Sequence, residues 1–328
     1  MKRIQQYEED AVYHCMSRSV HGERWLDEHG KAVFCKSLRK VAAFCGVRVI
    51  TYCVMSNHFH LLVEVPARHL RDSISDAELV RRFRLLYGDQ GTVYMPVTAE
   101  RLESILAAGG GEARRWRTDL IGRMNDLPMF MKLLKQRFTQ WYNAQYQTFG
   151  TFWASRYTSL LVESDAEIMR KIACYIDLNP VRAGIVNDPA EYAWSGFGAA
   201  SKGSAVMREG LASLCGWCTN ADRIGVFFSD YTKELYQRGA FPGDKAGKGG
   251  FIPQEIVKRV LGERSPDPQI RPFATSFSNW IQRGYVLGRS EFIAKYCEWV
   301  SAFLTRKRGV GVVTDADSQL ECINGKVE

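Results

Sequence analysis

Residues 47–65, VRVITYCVMSNHFHLLVEV, constrain the fold more than any other stretch of this chain. Two runs rich in β-branched and aromatic residues, 47–54 and 58–65, are separated only by Met55, Ser56 and Asn57. A three-residue break between two such runs predicts a hairpin of two antiparallel strands. In the second run the side chains alternate between faces, so His58 and His60 share one face while Phe59 and Leu61 point to the other, toward the core. Residues two apart on a strand lie roughly 7 Å apart at Cα, close enough for both imidazoles to reach one ion. On the motif alone, a pair of structural or surface histidines is the commoner case. Glu64 lies on the same face and farther along, where a solvated edge carboxylate is the expected reading.

The remaining elements follow from periodicity. AVYHCMSRSV (11–20) reads as a first strand, and WLDEHGKAVFCKSLRKVAAFCG as a helix stopped by Gly46. Residues 68–125 read as helical and basic, with a flexible joint at AAGGGEA. A strong helix follows over 129–146, with Asp126 as cap and Pro128 in the first turn. GTFWASRYTSLLVE (150–163) reads as a strand. SDAEIMRKIACYIDLN (164–179) reads as a helix with a capping box of Ser164 and Glu167, ending before Pro180. The order strand, helix, hairpin, helices, strand, helix predicts an α+β fold: an antiparallel sheet with helices on one face. The expected division is a domain over 1–200 and a mainly helical C-terminal extension over 201–328, with a disordered tail at about 314–328.

Histidine distribution limits the chemistry. All six histidines lie before residue 70. A third ligand from the later chain must therefore be an oxygen, a thiolate or water, and oxygen beside two imidazoles suits Mg²⁺, Mn²⁺ or another divalent ion better than structural zinc. On the 164–179 helix, Tyr175 and Asn179 are four residues apart and lie on one side. The amide oxygen is a possible neutral ligand and the phenol a possible nucleophile. A packing tyrosine and a helix-terminating asparagine are the plainer readings of the same two residues.

The net charge of +8 favours a polyanionic partner. No apolar run approaches the roughly 18 residues of a membrane span, and the start of the chain lacks an apolar signal core. Nine cysteines, an odd number, fit reduced thiols in a cytoplasm. The one close pair, Cys215 and Cys218 in CGWC, lacks the further ligands that zinc requires.

In order along the chain, YHCMSRSV, VITYCVMSNHFHLLVEVP, FTQWYNAQYQTFGTFWASRYTSLLVES, YIDLNPVRAGIV and YAWSGF resemble the single-tyrosine HUH transposases, most closely the REP-associated tyrosine transposases. The resemblance covers roughly residues 8–198. It implies a ferredoxin-like or RRM-like sheet, a divalent metal (Mg²⁺ or Mn²⁺) on His58, His60 and Asn179, and Tyr175 as the nucleophile. The implied substrate is single-stranded or hairpin DNA, cut and rejoined through a 5′-phosphotyrosine by a monomer or homodimer. The long 72–125 insertion and the chain beyond the domain depart from short family members. Arg18, Lys132, Lys135, Arg137, Arg156 and Arg182 are candidate phosphate contacts, and Trp141, Tyr142, Trp153 and Tyr157 candidate stacking residues. Tyr142 is the rival nucleophile, being also on a helix. A non-catalytic hairpin-binding regulator derived from a transposase is the alternative. A relaxase or replication initiator is disfavoured by the lack of later histidines, and an RNA-binding RRM by histidines where aromatic pairs belong.

Overall fold

In the computed structural model the two runs of the opening stretch form β2 (Arg48–Val54) and β3 (His58–Val65), paired antiparallel from Val54↔Phe59 to Arg48↔Glu64. The other edge of β3 pairs antiparallel with β1 (Ala11–Arg18), and β1 with β4 (Thr158–Val162). The structure describes residues 4–93, 95–216, 220–242, 249–262, 275–304, 310–315 and 320–325. Within β1–β4 the order β2-β3-β1-β4 is that of a split βαβ unit.

The sheet does not stop there. β5 (Gly284–Gly288) joins β4 in parallel, and β7 (Leu320–Gly325) and β6 (Val310–Asp315) extend it to seven strands, in the order β2-β3-β1-β4-β5-β7-β6. The fold is a mixed α+β structure with a sheet larger than a ferredoxin-like one. The described residues beyond 200 are mainly helical but also supply three strands to this sheet, and part of the segment expected to be a disordered tail, 314–315 and 320–325, is strand. The amide groups of these strands find partners on a neighbouring strand, so these short runs need no strong pattern of their own.

Helices cover both faces, not one. α1 (Glu28–Cys45) and α5 (Leu127–Tyr146) pack together on the face bearing Phe59, whose ring lies 4.7 Å from Phe34 and 5.2 Å from Trp153 between centroids. Asp27 caps α1 by accepting from Gly30 N, and Gly46, at φ 70°, closes it in the left-handed conformation. Asp126 caps α5 as its sequence suggests. Residues 72–125 form α2 (Asp76–Tyr87), α3 (Ala99–Ala108) and α4 (Gly110–Ile121), with α2 packed on α1. The joint between α3 and α4 is a tight turn in which Gly109 and Gly110 both take positive φ. Much of the basic charge here is internally paired, as in Arg81–Glu78, Arg117–Asp76 and Arg123–Asp119.

The opposite face is covered because a parallel β4–β5 pair requires a long crossover. That crossover includes α6 (Ala166–Asp177), α7 (Asn179–Arg182), α8 (Gly196–Ser201), α9 (Ala205–Ala212), α10 (Ala221–Gly239), α11 (Gln254–Leu261) and α12 (Thr275–Arg283). α6 packs on β2 and β3, and α12 on β4 and β5. α13 (Ser290–Leu304) follows β5 and packs against it and β7. β3 is consequently buried almost end to end, as a strand covered on both sides must be.

Two boundaries differ from expectation. β4 is confined to 158–162, because residues 150–157 form an irregular segment tied by an isolated Ser19↔Trp153 bridge to the chain just after β1. The cap of α6 is Asp165, not Ser164, since Asp165 Oδ1 accepts from both Glu167 N and Ile168 N. Among the described residues no helix is long and apolar enough to cross a membrane.

Candidate active site

His58 and His60 project from β3 on the face opposite Phe59, their ring centroids 5.1 Å apart. α6 lays Tyr175 against them, its ring centroid 6.0 Å from that of His60 in an edge-on contact. The apolar stripe Ile168, Met169, Ile172 and Ile176 is buried beneath the helix, which leaves Tyr175 half-buried at its margin.

Each imidazole is held by its Nδ1. Asn57 Nδ2 donates to the Gly22 carbonyl at 2.8 Å, which fixes the amide so that Oδ1 faces His58 Nδ1 at 2.6 Å. An amide oxygen only accepts, so His58 carries its proton on Nδ1 and turns the Nε2 lone pair outward. His60 Nδ1 meets His14 Nε2 at 2.9 Å, the two rings tilted by only 17°. Burial depresses the pKa of His58 to about 4, with the nearby Arg18 charge acting the same way. Burial takes His60 well below the ordinary imidazole range, assisted by its histidine neighbours and Arg18. Neutral imidazoles with Nδ1 engaged are the form in which histidine binds a metal.

Asn179 begins α7, and its Nδ2 donates to the Tyr175 carbonyl at 2.8 Å. That bond sets the amide orientation and leaves Oδ1 as the atom available to a ligand. Among the described residues Asn179 makes no hydrogen bond to either histidine. Nor does any group of three or more His, Cys, Asp or Glu stand ready for a metal among them. Glu64 is ion-paired with Arg48 at 2.8 Å. Two imidazoles and an amide oxygen are donor types that suit a divalent ion whose other positions are taken by water or phosphate.

Sequence reasoning missed the C-terminal contribution. Gln282 Nε2 lies 3.4 Å from Tyr175 Oη, and the Phe277 ring is 6.3 Å from that of Tyr175 between centroids. Both residues belong to α12, about a hundred residues after the tyrosine, and no local motif marks them. His14 was visible only as a residue of β1.

The predicted cations divide into two groups. Arg18, Lys132 and Arg156 are exposed, and Arg18 lies opposite His58 in the β1–β3 register. Lys135 is buried, donating to the Ser155 carbonyl at 2.7 Å, and Arg137 donates to the Leu86 carbonyl at 2.9 Å. Arg182 holds the carbonyls of Arg238, Phe241 and Gly250. These three are occupied with the protein's own backbone. Trp153 and Tyr157 are buried, so neither offers a face to a base. Trp141 and Tyr142 are half-buried in a cluster with Phe138, and Tyr142 also meets Trp25, Tyr146 and Phe152, with no ring contact to His58 or His60 among the described residues. Cys215 Sγ accepts from Arg170 at 2.9 Å, and its CGWC companion Cys218 lies outside the described residues.

No family model matches the chain, and no curated protein matches it. Among solved structures, a REP-associated tyrosine transposase bound to a REP hairpin is similar over 61% of this chain and 84% of that chain, at 12% identity and a TM-score of 0.39. A likeness this slight assigns no family.

Proposed function

We propose that the protein is a metal-dependent enzyme that nicks and rejoins single-stranded DNA beside a hairpin. The observation that carries this reading is the Tyr175 ring set edge-on against His60, in a site where both histidines have Nδ1 engaged by a neighbouring polar group. His58, His60 and Asn179 would hold Mg²⁺ or Mn²⁺, which supplies Lewis acidity toward a phosphate oxygen.

Tyr175 Oη attacks the phosphorus in line, forming the P–O(Tyr) bond as the P–O3′ bond breaks. The products are a 5′-phosphotyrosine and a free 3′-hydroxyl. A later hydroxyl reverses the exchange, so joining needs no ATP. A free tyrosine ionises near pH 10, and a cation beside Oη favours the phenolate. Gln282 Nε2 donates toward Oη, which orients the phenol without using its proton. Arg18, opposite His58, and the exposed Lys132 and Arg156 steady the DNA backbone.

Incubation with hairpin oligonucleotides and Mn²⁺ tests the proposal. Cleavage should be lost in Tyr175→Phe and in the His58→Ala, His60→Ala double variant, with much of the DNA binding kept. Undiminished cleavage in the histidine variant would remove the metal from the mechanism.

A further inference from the structure

His14 is a buried polar residue that the proposed reaction does not use. It lies on β1, two residues along from the position opposite His60, and is 1% exposed. Its Nε2 sits 2.9 Å from His60 Nδ1, with the rings nearly coplanar, so the two nitrogens share a single proton. The other side of His14 meets the backbone of Ile281 as a hydrogen-bond partner. The available backbone acceptor is the Ile281 carbonyl, which cannot donate. A fully buried imidazolium without a counter-charge is costly, so His14 is neutral and carries one proton. That proton belongs on Nδ1, toward Ile281, and Nε2 of His14 is then an acceptor. The shared proton therefore resides on His60 Nδ1, and His60 Nε2 keeps its lone pair, on a ring packed edge-on with Tyr175.

We propose that His14 is a positioning residue that, with the Ile281 carbonyl, locks His60 in its Nδ1-protonated tautomer and so keeps its Nε2 available to a divalent cation. The proposal rests on the metal-site reading above and adds what that reading lacks: a reason for His60 to present Nε2. Asn57 does the same for His58, with the Gly22 carbonyl as the outer anchor. The two histidines thus have separate two-step supports, one local to the hairpin turn and one reaching α12. The second gives the C-terminal segment a chemical role, since the Ile281 backbone sets the orientation of the His14 proton.

The test uses the full chain with ¹⁵N-labelled histidine, free of metal, with the His60 signals identified by their loss in His60→Asn. Long-range ¹H–¹⁵N spectra distinguish the two neutral tautomers. The expected result is His60 protonated on Nδ1 and bare on Nε2. The opposite tautomer, or exchange between the two, overturns the proposal whatever the variants do. Mn²⁺ titration, followed by calorimetry or by the electron paramagnetic resonance of the free ion, provides the second measurement. His14→Leu should weaken Mn²⁺ binding by about 10–100-fold, as loss of an outer-shell partner does. His14→Gln, whose amide oxygen accepts where Nε2 did, should restore it. Unchanged affinity in His14→Leu also overturns the proposal. Wild-type protein that shows the predicted tautomer but binds no Mn²⁺ refutes the metal-site reading and leaves the tautomer lock standing.

Discussion

Asp177 makes a stability prediction that can be worked from the structure. It lies on α6, two residues beyond Tyr175, with no solvent exposure. Its carboxylate accepts from Thr51 Oγ1 on β2 at 2.9 Å, from Tyr231 Oη on α10 at 2.6 Å and from the Phe197 amide at 3.3 Å. One side chain thus ties the tyrosine's helix to the sheet and to two elements of the crossover. Burial raises its pKa from 3.8 to about 7, the three donors pulling the other way without cancelling it. A raised acid favours the protonated folded state. Its contribution to stability is therefore fully present below the unfolded pKa, is lost as pH rises from about 4 to about 7, and is level above that. At about 1.4 kcal/mol per pH unit the whole loss is about 4 kcal/mol, of which about 2–3 kcal/mol falls between pH 5 and 8. Urea unfolding of wild type and Asp177→Asn across that range isolates the group, because the amide does not titrate. The stability of wild type relative to the variant should fall by that amount as pH rises. A difference that stays flat, or that grows with pH, would mean that folding does not raise the Asp177 pKa.

Three other perturbations are informative. Asp27→Ala removes the α1 cap and the partner of Tyr146 Oη, and should lower stability by about 1 kcal/mol in denaturant unfolding. The backbone bond from Gly30 holds the Asp27 carboxyl below its ordinary value, so this difference should be full at neutral pH and vanish as pH falls through the depressed folded pKa. Gly210→Ala places a Cβ 2.6 Å from the Val49 carbonyl and 2.8 Å from that of Ile50, so α9 must lift from β2, at a cost of about 1–3 kcal/mol in thermal or urea unfolding. Arg18→Ala and Arg156→Ala should each reduce the slope of log K against log salt for DNA binding by about 1. Arg182→Ala should instead lower stability with the slope unchanged, because its guanidinium is spent on backbone carbonyls.

The part of the fold that local pattern encodes was legible. β2 and β3 followed from two dense β-branched runs, α5 from Asp126 and Pro128, and the shared face of His58 and His60 from strand alternation. The C-terminal strands were not. GYVLG has glycine at both ends, and VGVVTD and LECING are six residues each, too short to display a period. Their strand character comes from neighbours far away in sequence, above all the parallel β4–β5 pair, which no local signal announces. The second helical layer was missed for the same reason, although HFHLLVEV is apolar enough on both faces to require one. Of the groups gathered around Tyr175, His58 and His60 stand on a motif-like stretch, whereas His14 and Gln282 reach the cluster through register and docking. Lys135 and Arg182 show the converse: as letters they match a phosphate contact, and only packing reveals that carbonyl oxygens hold them.

Attack of Tyr175 on DNA beside His60 would leave a covalent bond whose position can be located. Wild-type protein trapped with a hairpin oligonucleotide and Mn²⁺, then digested and analysed by mass spectrometry, should carry its nucleotide remnant on the peptide containing Tyr175, with the phosphate on the tyrosine oxygen. A remnant on Tyr142 or any other residue, or cleavage of the oligonucleotide with no adduct at all, would rule out Tyr175 as the nucleophile.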